Sequence, residues 1–327
     1  MPAPKPFIKE KQMKKVTKIR WVVAHDPLYL FLRAAEDFQS EVNARSKDHK
    51  IEVEIMTPAQ YAERYNDGEY VPRQQLFNLM HEGKIEMSQM VTTTLAAKFN
   101  PDMHILDMPF LFNDHDHASR ALEGEPGKQL LRSFSKESNI RGLAFTYSGG
   151  FRCLPAGKNV KSLADLAGEH IRTGMNPMAR DTFAAIGAKP MSMELEEMNS
   201  AVVDGRVIGG ESAWPRIYPC DQNSFAEAVV DTGHSLFLTS IIVSENFWDT
   251  LSPELQQIIS EAAIAAGRTE RQRSIEDGAD AMVKCEQEGI KVVKVSEEER
   301  EHFKQVTASL YEKYQFAPGL LDSIRKS

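Results

Sequence analysis

Ile19-Arg20-Trp21-Val22-Val23-Ala24-His25-Asp26-Pro27 sets the frame for reading the rest of the chain. Its apolar run, rich in β-branched and aromatic residues and stopped by a polar–proline step, reads as a buried strand. From Leu28 to Val42 the residues Leu32, Ala35, Phe38 and Val42 recur at helical spacing, so a helix follows. Ile51, Val53 and Ile55 then alternate with Glu52 and Glu54, the mark of a half-buried second strand. Strand, helix, strand is the unit of an α/β architecture with largely parallel sheets.

Moving outward, the punctuated and charged segment Thr57 to Pro72 reads as an irregular surface excursion. A helix over Arg73 to His81 precedes a strand beginning at Lys84 to Met87. Met108-Pro109-Phe110-Leu111-Phe112 is an apolar run cut off by Asn113-Asp114, which suit the cap of a helix reaching about Ser135. Ile140 to Tyr147 reads as a strand broken by Gly149-Gly150. A second cycle follows, with a strand at His170 to Thr173, a helix over Pro177 to Ile186, another over Glu194 to Val203, and a strand near Val207 to Gly210. Ser252-Pro253-Glu254-Leu255 opens a long helix, with Ser at the cap and Pro at the first helical position. Gly267 and Gly278 mark places where it could bend. Gly289 to Val293 is a strand, and Glu297 to Tyr314 a last amphipathic helix. Two α/β cycles imply two lobes.

Composition narrows the function. At 327 residues, with 42% hydrophobic and 26% charged residues, the chain has an ordinary globular make-up and room for two lobes. The 39 Lys+Arg against 47 Asp+Glu leave a net charge of -8, which disfavours nucleic acid and anionic lipid as partners. Three widely spaced cysteines, Cys153, Cys220 and Cys285, cannot form a disulfide framework or a structural zinc site. Apolar stretches fall short of a membrane span. The lysine-rich start lacks the apolar segment of a secretory signal.

Local motifs for chemistry are weak. His115-Asp116-His117 offers metal-ligand types, but its spacing selects no metal geometry, and a polar helix start with both histidines in water accounts for it. Gly124-Glu125-Pro126-Gly127-Lys128 lacks the spacing of a phosphate loop and reads as a turn between helices. No nucleophile elbow occurs, and Cys153 has no histidine base near it in sequence. Neither catalytic residues nor a metal or cofactor is therefore expected. Arg172 is more informative. It ends a short strand after apolar Ile171, where α/β sheets bind ligands, and a guanidinium fork suits a carboxylate. An internal ion pair with one of the many acids explains it equally well. Arg152, beside Gly149-Gly150, invites the same two readings.

Taken together, the landmarks resemble a family. Pro109-Phe-Leu-Phe112, Gly150-Phe-Arg152, Asp165-Leu-Ala-Gly168 before Ile171-Arg172, Gly187-Ala-Lys-Pro-Met191, Glu211, Phe247-Trp248 and Leu251-Ser-Pro-Glu254 occur in a specific order. In that order and spacing the chain, after about Lys18, is similar to the substrate-binding components of tripartite ATP-independent periplasmic (TRAP) transporters, of the dicarboxylate-binding-protein type.

The resemblance implies a two-lobed, type II periplasmic-binding-protein-like fold with hinge crossings near residues 147–151 and 234–240 and a long helix spanning both lobes. The implied division has residues 1–17 as a flexible tail, 18–148 plus 238–277 as lobe I, 149–237 plus 278–305 as lobe II, and 306–327 packing on lobe I. It implies a monomer that captures a small organic acid and delivers it to TRAP membrane permease subunits in the periplasm. A cytoplasmic homologue, or a sensing module of the same fold reporting occupancy to a signalling partner, is the alternative. Arg172 would grip the ligand carboxylate and Arg152 assist. Glu211, Ser212, Trp214, Met193, His234, His25 and Thr92 would complete the site. Two departures stand out: Ile208-Gly-Gly-Glu211 lacks the usual acid of the family pattern, and Ser212 stands where many relatives carry Asn.

Overall fold

The computed structural model describes residues 16–25, 28–47, 49–72, 75–133 and 138–327. Eleven strands organise it: β1 (Val16–Val23), β2 (Lys50–Met56), β3 (Met87–Val91), β4 (Ile140–Ala156), β5 (His170–Thr173), β6 (Lys189–Ser192), β7 (Gly209–Gly210), β8 (Ser212–Ala213), β9 (Ala228–Asp231), β10 (Leu236–Ser244) and β11 (Lys291–Lys294). Strands β2, β1 and β3 pair in parallel, and β10 and the first part of β4 add to them antiparallel. The end of β4 passes into a second group, where it pairs with β7 and β9, while β5 runs parallel to β6 and β7. These two groups are the sheets of two lobes. Strands β4 and β10 cross between them side by side, with Leu236 opposite Phe151 and Phe237 opposite Gly150 before a register shift brings Leu238 opposite Tyr147.

The crossing depends on its glycines. Gly149 and Gly150 take φ of +127° and +75°, and a Cβ on Gly149 would lie 2.6 Å from that of Ala213. They bend β4 without ending it, so the expected strand break is instead an irregularity inside one continuous strand.

The helix Pro253–Gln287 begins as the sequence indicates, with the Ser252 side chain accepting from the Leu255 N–H and Pro253 in the first turn. It continues unbroken through both glycines. At Gly267 the need is close approach, since a Cβ would sit 2.8 Å from the Phe145 carbonyl oxygen in β4. Further along, Glu270 is fully buried and accepts from the Tyr147 N–H at the crossing (2.6 Å) and from the Ser274 hydroxyl (2.7 Å). Arg33, from the helix Leu28–Arg45, balances its charge at 3.1 Å and also pairs with Asp277. The long helix is thereby fixed to both the first helix and the crossing strand.

Several expectations need correction. Val16 and Thr17, assigned to the tail, belong to β1 and pair with Lys50 and Ile51 of β2, and their branched side chains suit a strand; residues 1–15 lie outside the described residues. The excursion after Thr57 contains a helix, Pro58–Tyr65, started by a reciprocal capping box of Thr57 with Gln60. Pro58 is a first-turn proline there rather than a loop marker. The helix after Asn113 is two helices, His115–Glu123 and Glu125–Ser133, parted at Gly124, so Gly127-Lys128 is helical and not a turn. The helix expected from Arg73 covers Leu76–His81, and Arg73 lies outside the described residues. The stretch from Glu194 is a single-turn helix, Leu195–Glu197, followed by Met198–Val203. The C-terminal helix divides into Glu297–Thr307 and Leu310–Lys313.

Neither of the two histidines expected in water stands free in it: one is buried and the other half-buried. His117 is buried, with Nδ1 accepting from the Asn113 N–H (3.1 Å) and Nε2 donating to the Ile324 carbonyl (2.8 Å). His115 packs against Phe151 and Tyr147 at the crossing. Leu310, Leu320 and Ile324 bury in the same apolar cluster as Met103, Leu122 and Leu130, while Tyr314 donates its hydroxyl to Asp181 of the helix Pro177–Ala185 (2.5 Å). Among the described residues, no helix is long and apolar enough to cross a membrane.

Candidate functional site

Between the lobes lies a cleft with a cavity of about 370 Å³, within the range of small-molecule sites. One wall comes from the first lobe: His25 after β1, Phe31 on the first helix, Phe77, Val91 ending β3, and Thr93, Thr94, Ala97 and Lys98 on the helix Thr92–Lys98. The facing wall carries Arg152 on β4, Arg172 on β5, Gly174, Met175 and Asn176 beyond it, Glu194 to Glu196, Glu211, Ser212 and Arg216. Phe237, on the crossing strand β10, lies between them.

Arg172 sits at the end of a parallel strand, as its sequence context indicates, and only 6% of it is exposed. Its Nε donates to the Met193 carbonyl (3.0 Å) and its Nη1 to the Glu211 carbonyl (3.1 Å), which fixes the plane of the guanidinium. Nη2 has no hydrogen-bond partner among the described residues, so this cleft-lining side chain keeps donors uncommitted within the protein. Burial holds the pKa of Arg172 below its ordinary value. Glu211 opposes that shift, while Arg152 and Arg216 reinforce it.

Glu211 is the internal counter-charge. Its Oε1 accepts from the Gly174 N–H (2.8 Å), and its Oε2 lies 3.8 Å from Arg152 Nε and 3.7 Å from His234 Nε2. Burial works to raise its pKa, but the charge of Arg152, the His234 ring and Arg172 outweigh burial and hold it well below the carboxylate range. Arg152 also lays its guanidinium over the Phe237 ring at 4.3 Å, and Arg216 approaches the same ring at 5.2 Å. Arg216 donates from Nη1 to the Ser148 hydroxyl (3.0 Å), beside the glycine pair of the crossing. Three guanidiniums therefore line one largely desolvated cavity, an arrangement suited to an oxyanion.

Of the nine residues expected at the site, His25, Arg152, Arg172, Glu211 and Ser212 line the cleft. Four do not. Thr92 turns inward from the start of its helix, its hydroxyl 3.1 Å from that of Ser240, and the following Thr93 and Thr94 reach the cleft instead. Met193 contributes through its carbonyl, while its side chain packs with Ala201 and Val207. Trp214 donates from Nε1 to Asp231 (3.0 Å) and belongs to an apolar cluster with Cys153, Ile217 and Cys285. His234 is buried against Phe183 and Phe303, with Nδ1 on the Thr232 hydroxyl (2.9 Å), and acts on the cleft only through Glu211. Sequence reasoning missed Arg216 and Phe237. A signal existed for the first, a third arginine shortly after Ser212 in Trp214-Pro215-Arg216.

A two-lobed α/β fold closing on a cationic cleft defines a solute-binding protein. The chain matches the family model described as bacterial extracellular solute-binding protein, family 7, over residues 24–317, and it belongs to that family. It is 28% identical over 211 residues to the 2,3-diketo-L-gulonate-binding periplasmic protein of Escherichia coli, covering 64% of each chain. It is 27% identical over 212 residues to the C4-dicarboxylate-binding periplasmic protein of Rhodobacter capsulatus, covering 62% of this chain and 63% of that one. Matched segments thus span just under two thirds of these relatives. The structural likeness is broader. A TRAP periplasmic solute-binding protein from Pseudomonas putida, solved with D-glucuronate, aligns with TM-score 0.79 at 26% identity over 95% of this chain and 97% of that one. Another from Ochrobactrum anthropi gives TM-score 0.82 at 23% identity over 96% of both chains.

Proposed function

We propose that this chain captures a small organic acid between its two lobes in the periplasm and delivers it to the membrane subunits of a TRAP-type permease. The observation that carries the reading is the fixed, buried guanidinium of Arg172, set in a cleft with Arg152 and Arg216. A carboxylate entering that cleft gives up its water, and charged hydrogen bonds offset the cost. Arg172 holds the acid, Arg152 adds a further donor and field, and Ser212, whose buried hydroxyl has no partner among the described residues, meets a polar atom of the ligand. Glu211 keeps the arginines charged and spaced when no acid is bound. Relatives named for diketogulonate and C4-dicarboxylates, and a structural neighbour holding glucuronate, support an acid as cargo. No catalytic role is assigned to any residue.

In this reading residues 18–148 with 238–277 form the lobe that supplies the Phe31 and Phe77 wall. Residues 149–237 with 278–305 form the lobe that supplies the arginines, and 306–327 fasten to the first lobe. The protein acts as a monomer. Mass spectrometry of whatever is released when the purified protein is denatured tests the reading. A carboxylic acid that rebinds is the expected result. A cationic or neutral ligand, with no acid able to bind, would sink it.

A further inference from the structure

Resting on the organic-acid reading, the cleft lining points further, to the kind of acid. We infer that the cargo is an acid with an apolar body, such as a branched-chain or aryl-substituted carboxylate, rather than a polyhydroxylated sugar acid or a short dicarboxylate. Away from the arginines the apolar part of the walls is Phe31, Phe77, Val91, Ala97, Met175 and Leu195. These residues come from both lobes, so an acid gripped at Arg172 has carbon on either side of it. Met175 is 68% exposed at the lip, and a flexible thioether there can fold over apolar groups of differing shape.

A polyol would need a dense set of uncommitted donors and acceptors in the same place, because each buried hydroxyl without a partner is costly. Two of the neutral polar side chains present are tied up elsewhere. Thr93 donates its hydroxyl to Asp107 (2.9 Å), and the Asn176 Oδ1 caps the following helix by accepting from the Met178 N–H (2.9 Å). Ser212 remains beside the arginines that take the carboxylate, with Thr94 and the side-chain NH2 of Asn176 elsewhere on the walls, a sparser set than the hydroxyls of a polyol need. A second negative charge meets opposition from the acids of the arginine-bearing wall. Glu194 and Glu196 line the cleft, and their fields act on Arg172 and Arg216. Lys98 is the cation of the opposite wall. Its ammonium lies over the Phe77 ring at 4.6 Å, and its stem adds methylenes to the apolar surface.

Calorimetry on the intact protein, stripped of bound ligand by unfolding and refolding, tests this with isocaproate and phenylacetate against glucuronate and succinate. The apolar acids are expected to bind about tenfold tighter or more, the discrimination that a few methylenes achieve in an apolar pocket, with a more negative heat-capacity change. Ala97→Asn, at an exposed helical position of the cleft wall, should shrink the preference for phenylacetate over glucuronate several-fold. Glucuronate or succinate binding as tightly as the apolar acids overturns this inference while leaving the organic-acid reading intact. Failure of all four to bind overturns it as well, and the chemical class of the co-purified ligand then decides the organic-acid reading by itself.

Discussion

Replacing Arg172 is the sharpest perturbation the cleft allows. The residue is 6% exposed, and two carbonyls hold its guanidinium in place before any ligand arrives, so little order remains to be gained on binding. Its pKa is depressed by burial and by Arg152 and Arg216, which means that its charge is under-compensated in the cleft. An arriving carboxylate supplies that compensation. Truncating one partner of such a buried, hydrogen-bonded charge pair costs about 2–5 kcal/mol, or about thirtyfold to several thousandfold in Kd. Arg172→Ala should therefore bind the native acid weaker by that range.

Arg172→Lys separates geometry from charge. An ammonium has no planar fork, and if it reaches the Met193 or Glu211 carbonyl it has one fewer proton for the ligand. Its affinity should lie near that of the alanine variant. Arg152→Ala should cost about tenfold, or about 1.4 kcal/mol, because its guanidinium also serves Glu211 and the Phe237 ring. Titration calorimetry of the three variants, with circular dichroism melts to establish folding, gives the comparison. A folded Arg172→Ala protein with wild-type affinity would refute both the clamp and the organic-acid assignment.

Small-angle scattering should show compaction on adding a tight-binding acid, and an unchanged radius of gyration at saturation would count against hinge closure. None of Cys153, Cys220 and Cys285 is in a disulfide, so replacing all three with Ala should preserve fold and ligand affinity, with a loss of melting temperature from the two buried sites; loss of ligand binding in the folded variant would show a functional thiol. Burial raises the Glu270 pKa to about 7 from its ordinary 4.5, against the pull of Arg33 and Ser274. Its contribution to stability is full below about pH 4.5 and is lost as pH rises through about 7, a change on the order of 3 kcal/mol, so Glu270→Gln should flatten the decline in melting temperature over that window, and parallel curves would refute the assignment.

Much of this was legible where the physics is local. Ser252-Pro253 marks a helix start through its own hydrogen bonds, and the alternation of Ile51, Val53 and Ile55 with glutamates needs no tertiary information. Arg172 and Arg152 were legible because an arginine beside apolar strand residues or a glycine pair is locally odd. The apolar walls were not. Phe31 is 1% exposed and still lines the cleft, so no hydropathy pattern separates it from Phe38, which packs into the core. Gly149-Gly150 misled for a related reason. Glycines weaken an isolated strand, but here the neighbouring strand and the nearby Ala213 impose the path, and only glycine fits it.

The same crossing accounts for how binding could close the molecule without a relay. Arg152 and Phe237 stand on β4 and β10, the two strands that pass between the lobes, with Phe237 paired to Gly150. Arg216 reaches Ser148 on the crossing, and Glu270 of the long helix accepts from Tyr147 beside it. A ligand held by Arg152 and stacked near Phe237 therefore touches the hinge itself. Closure is driven only by contacts that differ between the open and shut forms. In the closure proposed for the lobes, the arginines, all on one lobe or on the crossing, would serve both forms, whereas Phe31, Phe77 and Ala97 of the opposite wall would meet the ligand only in the shut one. Shifting an equilibrium from mostly open to mostly shut takes about 5.5 kcal/mol of differential affinity. At about 25 cal/mol per Å² that corresponds to roughly 200 Å² of apolar surface covered on closing. An acid that engages the arginines alone, acetate for example, should bind weakly and leave the lobes open.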